Sequence, residues 1–563
     1  MKHFFAFRNS WLVWVVGLLL LAGPRAWAQA PSWQSAVAFS GTQSYVNASV
    51  VDGAGNIYLT GQFTGTANFG NTTLTSPGSG SDIFVAKWDR ESNRFAWAKQ
   101  AGGSGTDIGT AIARNGADIY VTGWFSALNA DFGVTTLHNL TSSTNDLFVA
   151  KLTDTGLDAT FSWARQVGSS GYESGYAIAV SGANVYITGI FTSPTLTIGA
   201  TTLPNSGPAE PLTTNGFICK LTDEGSFCTF GWTQPFIGSS YPTALAVQGA
   251  NVYVTGYFGG TLRAGNTKLT AAAYYDVFVV KLADQGASST WTWAKQAGSP
   301  GSTQATAIAV SGPSIYLTGY FYATASFGLT SVSSAGGSDV FVAKLTDSGT
   351  DAAFNWSAAG GGADIDEAYG LTLAGSDVYV CGAIGSPVAT FGTASLTHAT
   401  NNYFSRDGFI AHLTDAGASP SFTWAKAMGG QGNDGIYAVA LSGLTLFGAG
   451  YISPAASFDT ILIPASAGLQ IGFLASLSDA PLLATTPGLP NPSFTLAPNP
   501  ARAKTLVTRQ GYSSSILTVV DAVGRTVRTV PASLGAVALD LTGLPPGVYV
   551  VRTANQAAKL VVE

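Results

Sequence analysis

The chain has 563 residues, of which 46% are hydrophobic and only 10% charged, with 68 Gly, 24 Pro and a net charge of -6. An unstructured polymer needs low hydrophobicity and high charge, so that class is excluded. Few Lys, Glu and Met beside abundant Gly, Thr, Ser and Val disfavour long helices and favour short strands joined by tight turns, an all-β composition.

Residues 1–28 read as a signal peptide. Lys2 and Arg8 form a charged start, an apolar run extends from Trp11 to Ala22, Pro24 interrupts it, and Ala26-Trp27-Ala28 precedes Gln29 as a small-x-small cleavage site. A membrane anchor is the competing reading, but the run falls short of the ~20 residues that a spanning helix needs. No later segment approaches that length, so no transmembrane helix is expected after signal removal. Export permits disulfides, yet the mature chain holds three cysteines, Cys219, Cys228 and Cys381. Buried free thiols are the favoured expectation, with a Cys219–Cys228 bridge as the alternative.

Beyond the signal, one pattern recurs: Ile57-Tyr58-Leu59-Thr60-Gly61, then again at Tyr120, Tyr186, Tyr253, Tyr316 and Tyr379, with a degenerate copy at Phe447. The steps are 62, 66, 67, 63, 63 and 68 residues, the signature of a repeat architecture. A second ladder runs through Phe84, Phe148, Phe217, Phe278, Phe341, Phe409 and Phe473, and a third through Trp33, Trp97, Trp163, Trp232, Trp293, Trp356 and Trp424. A fourth strand precedes each Tyr rung across a Gly-containing turn such as Ser181-Gly182-Ala183-Asn184. Each period is therefore expected to be a four-stranded antiparallel meander, and near-continuous apolar runs imply sheets buried on both faces.

Seven such units predict a seven-bladed β-propeller over residues 29–480, with an open solenoid as the alternative. The Trp ladder starts before the first Tyr rung and has no member after Phe473. The N-terminal strand around Trp33 is thus expected to complete the last blade. The Tyr-Leu-Thr-Gly and Phe-Val-Ala-Lys-Leu patterns resemble the bacterial β-propeller repeat family abbreviated SBBP, over roughly residues 31 to 480. The resemblance implies this architecture and an extracellular location, and supplies no shared catalytic residues.

After Asp479 a proline-bearing linker, 481–492, leads to short strand-like runs at Ser515–Val520 and Gly547–Val551, read as a small Ig-like β-sandwich over 493–563. Its motifs are Pro498-Asn499-Pro500, Gly524-Arg525 closing the Asp521-Ala522-Val523 turn, Gly547-Val548-Tyr549, and a final stretch from Lys559. Together they resemble the C-terminal sorting domain of type IX secretion cargo, although Ala497 stands where members often have Tyr. The resemblance implies the type IX machinery as a partner and a location outside, or on the outer surface of, a Gram-negative bacterium.

Residues 29–482 carry 15 Lys and Arg against 28 Asp and Glu, and an acidic surface without a basic stripe makes nucleic acid an unexpected partner. His138 and His398 fall in loops and His412 at a strand position otherwise held by Lys, with no zinc spacing, nucleophile elbow or phosphate loop, so no catalytic residue is assigned. The crossovers between units carry Asp107, Glu173, Asp364, Asp366 and Asp434. These acids either bind a ligand or a cation such as calcium, or cap their own turns through backbone N–H groups. No other cofactor is expected. The long segments from Ser126 to Asn145 and from Thr192 to Asn215 share the crossover face and read as added hairpins. Trp124, Tyr257 and Tyr320 share one repeat position, where they either stack sugar rings or pack the blade. The reading is a secreted or surface-displayed, non-enzymatic binding, adhesion or scaffold module for glycan or protein, with a carboxylate-dependent polysaccharide hydrolase or lyase as the alternative.

Overall fold

Residues 31–139, 143–205, 214–400, 405–417, 419–464, 469–478, 494–509, 517–521, 525–530, 537–552 and 557–562 are described by the computed structural model. The expected signal peptide 1–28, the expected linker 481–492 and Gly524 lie outside them. The chain divides into two units, Met1–Asp479 and Ala480–Glu563.

All regular structure described in the first unit is β. Strands Gly41–Val51, Ile57–Phe69, Ser81–Asp89 and Arg94–Ala101 pair in chain order as one antiparallel meander. Asp107–Asn115, Asp118–Phe125, Asp146–Asp154 and Ala159–Val167 repeat it. The third and fourth meanders are joined by one 21-residue strand, Cys228–Gln248, whose first half ends one and whose second half begins the next. The fifth starts at Thr303–Ser311 and the sixth at Asp366–Ala374. The seventh contributes Gly435–Ser442, Thr445–Ile452 and Ile471–Ser478. Its fourth strand is Ser32–Ala38, which pairs antiparallel with Ile471–Ser478, Trp33 opposite Leu477 and Ala38 opposite Phe473. The first strands of successive meanders pack on one another in turn, and that of the seventh packs on that of the first.

The ladders have physical causes. In Ser81–Asp89 eight consecutive residues are buried, because both faces of the third strand meet a neighbouring sheet. Thr60, Thr122, Thr188, Thr255 and Thr318 donate to the carbonyls of Phe84, Phe148, Phe217, Phe278 and Phe341 on the adjacent strand. The following Gly is required by a close approach: a Cβ on Gly61 would lie 1.9 Å from the Tyr45 carbonyl oxygen.

The long segments do form hairpins, such as Asn129–Phe132 with Thr135–His138 and Thr195–Ile198 with Thr201–Pro204. They reach back to the preceding meander. Gly361 and Gly362 pair with Thr390 and Ala389, and Gly429 and Gly430 with Ser457 and Ala456. The three cysteines are buried free thiols.

In the second unit, Phe494–Ala497, Lys504–Arg509 and Val537–Asp540 form one antiparallel sheet. Thr526–Val530, Leu517–Val520, Gly547–Arg552 and Ala557–Val562 form another. Val507, Val519, Leu539, Val551 and Leu560 from both sheets share one apolar core.

Candidate ligand-binding site

The first strand of every meander, its inner strand hereafter, carries a β-bulge, and the residues passed over by the pairing are Asn47, Thr110, Tyr176, Thr243, Thr306, Tyr369 and Tyr437. Four of them are small and polar and tie one inner strand to the next. Asn47 Nδ2 donates to Gly109 O at 2.9 Å, Thr110 Oγ1 to Gly175 O at 2.7 Å, Thr243 Oγ1 to Ala305 O at 2.7 Å and Thr306 Oγ1 to Ala368 O at 2.9 Å. Tyr176, Tyr369 and Tyr437 cannot repeat this bond, because a phenol oxygen lies too far from its own backbone. Each forgoes an interaction worth ~1 kcal/mol. The repeat symmetry is therefore broken at three positions, once in the third meander and at two adjacent places in the sixth and seventh.

There the Tyr369 and Tyr437 rings stack at 4.4 Å and 11°, and Tyr451 lies 5.5 Å from Tyr437 at 30°. Tyr45 meets Tyr451 edge-on at 4.9 Å. Arg406 Nη1 donates to Glu367 Oε2 at 2.6 Å and to the Tyr369 hydroxyl at 3.1 Å, and that hydroxyl donates to Glu367 at 2.9 Å. Burial, the Tyr437 ring and the Glu367 charge hold the Tyr369 phenol well above its usual range, so it remains a donor. A cavity of about 390 Å³ opens beside these rings, bordered also by Asp364, Asn433 and Asp434. A second group, Tyr241 stacked on Tyr257 at 4.8 Å with Tyr275 edge-on, stands in the fourth meander.

The crossover acids are placed unequally. Asp107 accepts from the N–H groups of Gly103 at 2.7 Å, Ser126 at 3.0 Å and Ala127 at 3.2 Å. Glu173 accepts from Ser169 N and Ser193 Oγ. Asp366 accepts from Gly362, Gly385 and Ser386 N–H groups and from the Ser386 hydroxyl. Asp434 accepts from Gly430 N at 2.7 Å and Ser453 N at 2.6 Å. All four are buried and fasten a crossover to the loop that follows the second strand. Asp364 is half-buried and, with Asp434, borders the cavity.

Each buried acid also faces the carboxylate that opens the previous meander's third strand. Burial and the Asp107 charge push Asp82 up to about 7. Burial and Glu173 do the same to Asp146, also to about 7. Burial, with Asp366 adding, raises Asp339 to about 6 against its backbone bonds. Burial, with Asp407 adding, raises Asp434 to about 7 against the Ser453 and Gly430 N–H bonds. In the fourth and fifth meanders the first strand opens instead on the uncharged Ser240 and Thr303.

Trp124, Tyr257 and Tyr320 are half-buried at the repeat position shared with Tyr451, and the Tyr320 hydroxyl donates to Gln304 Oε1 at 2.8 Å. His398 lies in a loop, as expected, directly after the strand Ala394–Thr397, and is buried there with Nε2 3.9 Å from Asp407 Oδ1. The loop placement expected for His138 is corrected, because it ends the strand Thr135–His138. His412 fills the usual Lys place and stacks on Tyr379 at 4.7 Å. Among the described residues, no group of three or more His, Cys, Asp or Glu is placed to hold a metal ion.

Tyr369, Tyr437 and Arg406 were not singled out by sequence reasoning. The signal was present: ten residues before the Tyr rung stands Thr110, Thr243 or Thr306 in three repeats, and Tyr176, Tyr369 or Tyr437 in three others.

In the second unit Asn499 joins two of the tail motifs. Its Nδ2 donates to Lys559 O at 2.7 Å and its Oδ1 accepts from Val561 N at 2.8 Å. Pro498 O accepts from Thr505 Oγ1 at 2.7 Å, and Pro500 leads into Ala501, whose N–H donates to Val561 O. The Tyr549 hydroxyl donates to Pro545 O at 2.8 Å, two residues before Gly547, and Arg525 Nε donates to Asp521 at 2.8 Å.

No characterised protein matches the chain by sequence. Among solved structures, the acylaminoacyl peptidase of Pyrococcus horikoshii is 9% identical with a TM-score of 0.35, over 84% of this chain and 58% of that one. The chain thus spans little more than half the length of that enzyme. The phage phi92 endosialidase is 9% identical with a TM-score of 0.35, over 94% and 88%. PorZ of Porphyromonas gingivalis, an essential surface component of the type-IX secretion system, is 11% identical with a TM-score of 0.18, over 94% and 100%. At these TM-scores nothing about activity transfers. Residues 495–563 match the family described as the secretion system C-terminal sorting domain, which marks the chain as secreted to the cell surface or beyond.

Proposed function

We propose that the mature chain is a type IX cargo whose residues 29–480 form a seven-bladed β-propeller of SBBP type, followed by an Ig-like sandwich, and act outside the cell as a non-enzymatic binding or adhesion module. The chain-order meanders, the cycle of inner-strand contacts and the pairing of Ser32–Ala38 with Ile471–Ser478 support the propeller. The observation that carries the binding reading is the replacement of interstrand Thr and Asn by Tyr369 and Tyr437 beside an open cavity. A repeat gives up a stabilising bond at one place when that place has another task. Asp434, the buried acid there, accepts a backbone N–H at each oxygen, the geometry of a cap rather than of a proton donor to substrate.

The test is retention of the purified secreted protein on intact producing cells and on their isolated surface polymers, measured by sedimentation. Saturable retention without release of reducing ends supports the module. Steady release of reducing ends from those polymers would replace it with the hydrolase or lyase reading.

A further inference from the structure

We propose that the cavity between the sixth and seventh meanders takes one ring of a neutral glycan, with Tyr369, Tyr437 and Tyr451 as its aromatic wall and Arg406, Asn433 and Asp364 as its hydrogen-bonding partners. The proposal rests on the binding reading above and names the chemistry of that site.

The volume comes first. About 390 Å³ is at the low end of small-molecule pockets, ~300–1,000 Å³, which suits one or two sugar rings and not a protein surface. The wall comes next. The three tyrosines are half-buried, with Tyr437 stacked on both Tyr369 and Tyr451, and the aromatic surface this stack leaves uncovered packs against the C–H face of a pyranose.

The polar groups then select among ligands. Arg406 commits only Nη1, to Glu367 and Tyr369, and among the described residues Nε and Nη2 have no partner. Those N–H groups are free to donate to acceptors on a ligand, which a protonated polyamine lacks. The Asp364 carboxylate likewise has no side-chain partner among the described residues, and it requires a donor. The guanidinium charge is offset by Glu367 at 2.6 Å, and Asp364 adds a further negative charge. An anionic sugar would therefore meet a wall without net positive charge. A hydroxyl donates and accepts through one oxygen, so neighbouring ring hydroxyls satisfy Arg406 and Asp364 together.

Maltotetraose, cellotetraose and mannotetraose serve as neutral probes of the purified full chain, with 3′-sialyllactose and spermidine as anionic and cationic ones, in calorimetric titrations. At least one neutral tetrasaccharide binds, and Tyr437→Thr weakens it ten-fold or more. Thr is the residue of other repeats at this position, so this variant folds, as an unchanged thermal midpoint verifies. Arg406→Gln weakens the same sugar several-fold. The proposal is overturned if no neutral probe binds, if spermidine or sialyllactose binds more tightly than every neutral probe, or if Tyr437→Thr leaves sugar affinity unchanged. Retention on cells that persists in Tyr437→Thr overturns this ligand assignment alone. Loss of all retention by the unmodified protein overturns the binding reading as well.

Discussion

Lys87 of the first meander places its Nζ 2.7 Å from Asp154 Oδ2 of the second, with both side chains 8% exposed. Tyr58 OH and Trp97 Nε1, also from the first meander, donate to the same carboxylate at 2.7 and 3.0 Å. The Tyr, Lys and Trp ladders thus converge on one acid at this junction, and Asp223, Asp284, Asp347 and Asp415 repeat the arrangement at the next four. Adjacent sheets are fixed in register by a charge-assisted clamp as well as by apolar packing.

Asp284→Ala strands Lys220, whose side chain is 5% exposed, and removes the partner of Tyr186 and Trp232. A buried charge left without its partner costs ~3–5 kcal/mol. A urea midpoint lowered to match is expected. The pair Lys220→Met with Asp284→Leu recovers much of the loss, because no charge then remains buried.

Ser35 and Ser476 face each other across the strands that join the first and last described parts of the first unit, with hydroxyls 2.6 Å apart and a sequence separation of 441. Directly opposed strand positions suit a disulfide. Ser35→Cys with Ser476→Cys should oxidise readily and raise stability by ~2–4 kcal/mol, reversed by reductant. Failure to cross-link under mild oxidation would show that Ser32–Ala38 does not lie on Ile471–Ser478.

Stability should peak in mildly acidic solution. Asp82, Asp146 and Asp434 are pushed up to about 7 and Asp339 to about 6, above the ~4 of an unfolded carboxylate. The folded state therefore holds more protons than the unfolded one between these limits, so this contribution is full below about pH 4 and is lost progressively as pH rises to about 7. The junction acids Asp154, Asp223, Asp284, Asp347 and Asp415 behave oppositely. Burial alone would raise them, but bonds from Lys, Tyr, Trp and backbone donors hold them below the ordinary value. Their contribution is lost as pH falls through that lowered range. Thermal midpoints should be highest at about pH 4 to 5 and lower at pH 8, and Asp82→Asn should make the decline between them shallower. A midpoint that rises steadily from pH 5 to 8 contradicts this.

Asn499→Ala removes both bonds that tie the Pro498–Pro500 turn to the final strand. Leaving those groups without a partner costs ~1–3 kcal/mol. In producing cells the variant should accumulate inside the outer membrane while its first unit remains folded, as fractionation and limited proteolysis would reveal. Normal export would separate the joined motifs from recognition.

The repeated parts were legible because they recur. The Tyr58, Phe84 and Trp97 ladders specify strand number, order and burial, since an alternation or apolar run copied at a fixed period has one consistent packing. The spare Trp33 rung even pointed to its partner strand, and the tail motifs stand in the family's order. Three-dimensional proximity decided the rest. Asp154 reads locally as a turn residue, and its role as acceptor arises only because folding carries it to Tyr58, 96 residues away. Asp366 and Asp364 look equivalent in a crossover, yet one spends its oxygens on backbone N–H groups and the other stands at a cavity. Tyr369 and Tyr437 occupy bulges, where an inserted residue breaks the alternation by which a sequence tells inside from outside. Periodicity reports which positions are alike, whereas a site depends on which unlike residues meet, and that is fixed only when the chain has folded.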